Sequence, residues 1–211
     1  MARLVSVKRG QYDEPFFALN ASIGLHDSQI ILPQVLADTG AQTVIDVGCG
    51  TAAWAATAKA YGCKVHGIDG HVALDEILID PDEFELRDLK DGVSCTGYDL
   101  AICLEFGEHL PESSAAPLVA GLCQARYVLF SGAHPGQGGV DHINEQWSSW
   151  WAELFAEHGF VGSCVIRDRY WSDDSLQLYH RENIVVFASP EDLDGLGYSQ
   201  EIRDELHPSR S

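Results

Sequence analysis

Basic residues are scarce. The 211-residue chain carries 13 lysines and arginines against 32 aspartates and glutamates, a formal net charge of −19. Nucleic acids and anionic membranes are gripped by clustered Lys and Arg, and no dense run of either is present, so neither is an expected partner. The charge itself acts first as a solubilising term and secondarily as a field that favours a cationic ligand. No apolar run is long enough to span a bilayer. Residues 1–10 hold charges and no apolar stretch, so no leader is expected. None of the six cysteines falls in a Cys-x-x-Cys pair, which removes the usual zinc and dithiol motifs. Several lie inside predicted strands or helices, as buried reduced thiols of a cytoplasmic protein do. Internal repeats are absent, and no composition break marks a second domain. A length of 211 residues with 45% hydrophobic content supports one sizeable core.

What is present is concentrated in one stretch, residues 43–54. A β-branched run, Thr43-Val44-Ile45-Asp46-Val47, ends in a glycine turn, Gly48-Cys49-Gly50, and an alanine-rich helix follows. Glycines there permit backbone angles and close approaches that a side chain blocks. The helix aims free N–H groups and the positive end of its dipole into the turn. The spacing is neither Gly-x-Gly-x-x-Gly nor a Walker loop, since no Lys-Ser or Lys-Thr follows. That tells against a dehydrogenase or a phosphate-loop enzyme. A second strand, Lys64-Val65-His66-Gly67-Ile68-Asp69, ends in an acid 19 residues past Gly50. A carboxylate at that tip suits capture of the two hydroxyls of a ribose.

The remaining pattern alternates strands and helices. Ser28 is read as the cap of a first helical turn and Pro33 as the opening residue of the next piece, ended by Gly40. Trp54, Ala55, Ala58 and Tyr61 share one face of the helix over 51–60. Further strands are expected at 83–86, 99–104, 126–131, 162–167 and 183–188, and a helix over 113–124 with Leu118, Val119, Leu122 and Cys123 inward. Trp147, Trp150, Trp151, Leu154 and Phe155 follow the spacing of an amphipathic helix stopped by Gly159. Residues 170–180 read as a polar, aromatic connection. Residues 190–211 are acidic and are expected to fray or to add one short helix.

The segments Val44-Ile45-Asp46-Val47-Gly48-Cys49-Gly50-Thr51, Gly67-Ile68-Asp69 and Tyr98-Asp99-Leu100-Ala101-Ile102-Cys103-Leu104-Glu105, with Glu108-His109-Leu110, resemble the class I S-adenosylmethionine (SAM)-dependent methyltransferases. The resemblance covers roughly residues 25–189. Ala52 stands where a third glycine is frequent. It implies an α/β, doubly wound, mostly parallel seven-stranded sheet with an antiparallel last strand and helices on both faces. Residues 1–42 would then be a lid or helical segment, 43–189 the Rossmann-like domain and 190–211 a tail. It also implies SAM as cofactor. Asp46, Gly48, Cys49 and Gly50 would hold its methionine part, and Asp69 and Gly70 its ribose. Asp88 and Leu89 would hold its adenine, with Leu104 and Glu105 beside it. His109 would be an architectural cap.

Methyl transfer to oxygen or nitrogen of a small acceptor needs a proton acceptor close to the sulfonium. The loop over 132–146, rich in glycine, imidazole, acid and amide groups, follows a strand at the expected ligand edge. His142 is the first choice as base and His134 the second, with a carboxylate from Glu105 or Glu108 next. Asp141, Asn144 or Glu145 would orient the base or acceptor. Tyr12, Asn144, Trp147 and Trp150 are candidates for the acceptor pocket, with Asn20 a further one. Asp, His and Asn of one loop can ligate a divalent ion, yet no dedicated ligand motif is visible and no metal is assigned. Alternative uses of the same sequence are non-methyl chemistry on SAM, such as intramolecular cyclisation, or non-catalytic binding of SAM or another nucleotide. A homodimer is allowed.

Overall fold

The computed structural model describes residues 14–72 and 74–210, with side chains described for 21–72 and 74–209. Seven strands, β1 (Thr43–Val47), β2 (Lys64–Asp69), β3 (Phe84–Leu86), β4 (Leu100–Cys103), β5 (Tyr127–Phe130), β6 (Val161–Ser163) and β7 (Val185–Ala188), form one sheet in the order β3-β2-β1-β4-β5-β7-β6. Pairings among the first five are parallel, and β7 runs antiparallel to both β5 and β6. Strands β4, β5 and β7 are buried along their whole length, as expected of strands covered on both faces.

The cover is two apolar layers. On one face α1 (Glu14–Thr39) lies across α2 (Ala53–Ala60), burying Ile31, Leu32, Val35, Trp54 and Ala58. On the other, α3 (Ala115–Leu122) and α4 (Ser148–Ala156) bury Leu118, Val119, Trp151 and Phe155. Phe155 stacks on Phe187 of β7 with centroids 3.9 Å apart. Within α3, a Cβ built on Gly121 would sit 2.0 Å from the Val93 carbonyl oxygen. Gly121→Ala must push helix and loop apart and is expected to cost about 1–3 kcal/mol, readable as a lower urea midpoint.

Several expectations are corrected. Residues 14–39 are one helix rather than an irregular start followed by a capped piece, and Pro33 lies inside it. An interior proline removes one helix hydrogen bond, and the helix runs on through it, packed along α2. Ser28 is a mid-helix residue whose hydroxyl meets that of Thr57 at 2.6 Å, joining α1 to α2. Tyr61 is exposed, since α2 ends at Ala60.

Residues 165–167 are not strand but the start of α5 (Val165–Tyr170), and the connection to β7 holds α6 (Leu178–Asn183). β-Branched Val165 and Ile166 suggest strand. Tertiary bonds decide otherwise: buried Arg167 donates to the Arg203 carbonyl at 2.5 Å and to Ser148 Oγ at 3.0 Å.

The one short helix expected after residue 190 is α7 (Pro190–Leu196), and the residues beyond it are anchored rather than frayed. Tyr198 is buried with its hydroxyl on Asp38, the Cys164 amide donates to the Glu201 carbonyl, and Ser149 binds Asp204. Farther on, the His207 amide donates to Glu182 at 2.6 Å. All six cysteines are free thiols.

Candidate active site

The sheet order reverses between β1 and β4. The chain leaves β1 toward β2 and leaves β4 toward β5, so the two exit loops part and a crevice opens at their carboxyl ends. There lies a cavity of about 850 Å³. Its walls come from the glycine turn, the segment after β4, the loop after β5, and α1 and α6.

The turn is built as its residues require. Gly48 has φ +69°, a conformation costly for an L side chain, and a Cβ there would lie 2.2 Å from the Phe106 ring. Its N–H donates to the Ile68 carbonyl at 2.8 Å, which ties the turn to β2. The Gly50 N–H donates to Asp69 Oδ2 at 2.8 Å, and the His71 N–H to Asp69 Oδ1 at 2.7 Å. Asp46 accepts from the Ala55 N–H at 3.1 Å. Burial pushes the Asp46 carboxyl up to about 7, with the charge of Asp69 adding to the effect. Burial also raises Asp69, against the bonds that favour its charge. Two buried acids face one cavity and favour a cation or hydroxyl donors there.

Glu105 follows β4 in the left-handed region, φ +48°, held by its N–H on the Ser131 hydroxyl at 3.0 Å. A non-glycine residue kept in that conformation is a mark of functional sites. Its two carboxylate oxygens accept from Asn183 at 3.0 Å and Gln137 at 2.9 Å, and Asn183 also donates to Gln137. This closed triangle ties the loop after β5 to α6, so Glu105 anchors the site. His142 lies on the wall with Nδ1 3.2 Å from Glu145 and Nε2 4.0 Å from Glu108. The His109 ring meets it edge-on with centroids 4.9 Å apart. Burial, with the neighbouring His142, lowers the His109 pKa.

Asp46, Gly48, Cys49, Gly50, Asp69, Leu104, Glu105 and His142 thus come together on the cavity. Other predicted site residues do not. Asp88 is exposed and bound to Lys90, at 3.0 Å to its amide and 2.9 Å to its ammonium, while Leu89 is core. Gly70 packs on the backbone of residues 87–88. His134 is buried, stacked on Trp147 at 5.5 Å and 3.6 Å from Glu182, off the cavity. The Asn144 side-chain carbonyl accepts from Gln146 at 3.1 Å, and its backbone N–H donates to the Glu108 carbonyl at 3.1 Å. Trp147 precedes α4 and Trp150 packs on Trp151. The face that α4 turns into the core is Trp151 and Phe155, and Trp147 and Trp150 stay off the cavity wall. Tyr12 lies outside the described residues, and so does the side chain of Asn20.

Sequence reasoning missed Ile23, Gly24, Phe106, Gln137, Tyr179 and His180, all on the cavity wall. His180 Nδ1 lies 2.6 Å from Asp27. Burial opposes the Asp27 charge, but the bond from His180 and that from His26 leave its pKa below the ordinary value. The partners are far apart in the chain, so no spacing announces the pair.

No family model matches the chain, and no curated protein matches it. Solved structures do. Magnesium protoporphyrin IX methyltransferase from Synechocystis, with bound SAM, superposes with a TM-score of 0.56 at 17% identity, over 85% of this chain and 86% of that one. A SAM-dependent methyltransferase from Archaeoglobus fulgidus gives 0.58 at 16%, over 83% and 99%. This chain has the class I methyltransferase fold. A TehB-like SAM-dependent methyltransferase from Corynebacterium glutamicum shares that fold, with 0.54 at 19% identity over 82% and 94%. In the methyltransferase fold the cavity occupies the switch point between β1 and β4, the place where open sheets of this type bind ligands.

Proposed function

We propose that the chain binds SAM in this cavity and transfers its methyl group to an oxygen or nitrogen of a small-molecule acceptor in biosynthesis, within the cytoplasm. The observation that carries the reading is the Gly48–Gly50 turn locked to Asp69, with Asp46 buried beside it at the mouth of the crevice. In this arrangement Asp46 faces the aminobutyrate end and Asp69 the ribose. A volume of about 850 Å³ suits a nucleoside-sized donor with a compact acceptor. The charge of −19 disfavours a nucleic-acid acceptor, and among the described residues no helix is long and apolar enough to cross a membrane.

The chemistry is an in-line displacement. The acceptor's lone pair forms the new bond to the methyl carbon, the carbon–sulfur bond breaks, and its electron pair stays on sulfur as a neutral thioether. The acceptor's proton leaves to a base. His142 supplies it from the cavity wall, oriented through Nδ1 by Glu145.

Saturation at a hundredfold excess over Kd adds about 2.7 kcal/mol, so SAM and S-adenosylhomocysteine are expected to raise Tm while NAD and ATP leave it unchanged. Absence of any shift sinks the reading. Product analysis by mass spectrometry then separates methyl transfer, which yields S-adenosylhomocysteine, from attack on the aminobutyrate chain, which yields methylthioadenosine.

Affinity should follow pH. Asp46 has a raised pKa, so without ligand its contribution to stability is full below about pH 4 and is lost as pH climbs through 7. A ligand ammonium favours the carboxylate, so binding below 7 expels a proton. SAM affinity is expected to rise by up to about tenfold per pH unit toward 7 and to level off above it. Calorimetry at pH 6 in two buffers of different ionisation enthalpy reads the released proton, and a pH-independent Kd would count against this role.

A further inference from the structure

We propose that Glu108, His109 and His142 form a binding site for a divalent cation of the zinc, manganese or iron(II) class, on the wall of the donor cavity. One carboxylate oxygen and two imidazole nitrogens from these residues lie within 4.8 Å of one another. One oxygen and two nitrogens make a donor set suited to those ions, whereas calcium and magnesium favour oxygen-only shells. Bonds of about 2.0–2.2 Å need the three atoms drawn to roughly 3–3.5 Å apart, a movement of side-chain torsions.

Three observations, beyond the cluster itself, point to a cation. Glu108 is fully buried, and neither carboxylate oxygen has a hydrogen-bond partner. Its own amide and that of Ala133 lie near enough to favour its charge, yet neither makes a bond of good geometry. A buried carboxylate without partners is costly, and Glu105 and Glu145 nearby add to the negative potential.

The imidazoles are also presented as ligands. Nδ1 of His142 lies 3.2 Å from Glu145, an acceptor, and Nε2 is turned toward Glu108 at 4.0 Å, where a neutral ring would offer it as a ligand. Glu145 is itself fixed by the amides of Gly136 at 2.8 Å and Gly138 at 2.7 Å. The Asp141 carbonyl stands beside the His109 ring in the same role. Carboxylates and carbonyls behind ligating histidines set tautomer and ring orientation at metal sites. Finally, the His142 ring lies over Gly139, where a Cβ would come 2.2 Å from Nε2. Only glycine leaves the ring that position.

His109 and His142 line the cavity while Glu108 closes the site from behind. Coordination positions not taken by the three side chains therefore face the acceptor space. A hydroxyl bound there loses its proton more readily, since a cation lowers the pKa of a bound oxygen. The site itself does not depend on the methyltransferase reading; its role in activating an oxygen acceptor does. With the cation in place, His142 is a ligand and not the base.

The test begins with protein stripped by a chelator and dialysed. Calorimetric titration with Zn²⁺ and with Mn²⁺ is expected to give one equivalent bound at micromolar Kd or tighter, and Co²⁺ should give visible ligand-field bands. His109→Ala, His142→Ala and Glu108→Gln should each weaken binding at least a hundredfold, scored only for variants with cooperative melting, while the SAM-induced rise in Tm persists. Failure to bind stoichiometrically at millimolar metal overturns the site, and so does unchanged affinity in folded variants. Methyl transfer that continues unabated in metal-free protein overturns the activating role and leaves His142 as base. Loss of SAM binding with metal binding intact refutes the methyltransferase reading instead.

Discussion

Trp151→Ala is expected to lower the stability of the fold by about 3–5 kcal/mol, the range for truncating a fully buried indole. The side chain is 1% exposed. It packs against Phe130 of β5 at 4.9 Å and Trp150 at 5.0 Å between centroids. Its ring also fills the space over two glycines: a Cβ would come 2.7 Å from it at Gly107 and 3.1 Å from it at Gly132. Those glycines begin the turn carrying Glu108 and His109 and the loop after β5, so the indole is the floor on which the catalytic side of the crevice rests. Denaturant unfolding measures the effect, and Trp151→Phe should recover part of the loss. A change under about 1 kcal/mol would show that the cavity collapses freely and that the floor is not needed.

Asp69→Ala is expected to weaken SAM and S-adenosylhomocysteine binding by about 10²–10³-fold, with melting of the free protein still cooperative. A hydrogen bond to a charged group contributes about 1.5–3 kcal/mol. Asp69 makes two to the turn, through the Gly50 and His71 amides, and in the proposed complex also receives the ribose hydroxyls. Its removal loosens the glycine turn and deletes the ribose acceptor together. Asp69→Asn keeps one acceptor oxygen and should fall between. Calorimetry with S-adenosylhomocysteine is the measurement; an affinity within threefold of the parent would move the cofactor site away from β2.

The sheet was legible because its strands are marked by local chemistry. Strands β4 and β5 are apolar throughout, β2 ends in Asp69, and β1 carries Asp46 one residue before its end. What was hidden lay in long-range contacts. Arg167 reads as the polar end of a strand until its donors find the Arg203 carbonyl and Ser148. Pro33 reads as a helix start because an interior proline is costly, yet α1 runs through it, packed along α2.

At the crevice, Asp46, Gly48 and Gly50 come from one contiguous motif and Asp69 from the end of the next strand, so the four were readable together. His180 and Asp27 were not, being brought together from α6 and α1 across 153 positions of the chain. The aromatic stripe of α4 was correctly read as periodic, but periodicity does not say which side meets a ligand. Packing on β5 took Trp151 to the core and left Trp147 on His134.

Residues 198–207 carry a consequence for synthesis. They brace α5 through Arg167 and Cys164, α4 through Ser149, and α6 through Glu182, all elements made earlier. A nascent chain emerging from the ribosome holds its parallel strands before these ties exist. The wall formed by α6, with Tyr179 and His180, therefore gains its last fastening only when position 207 has cleared the exit tunnel. Closure of that wall should lag behind assembly of the central sheet.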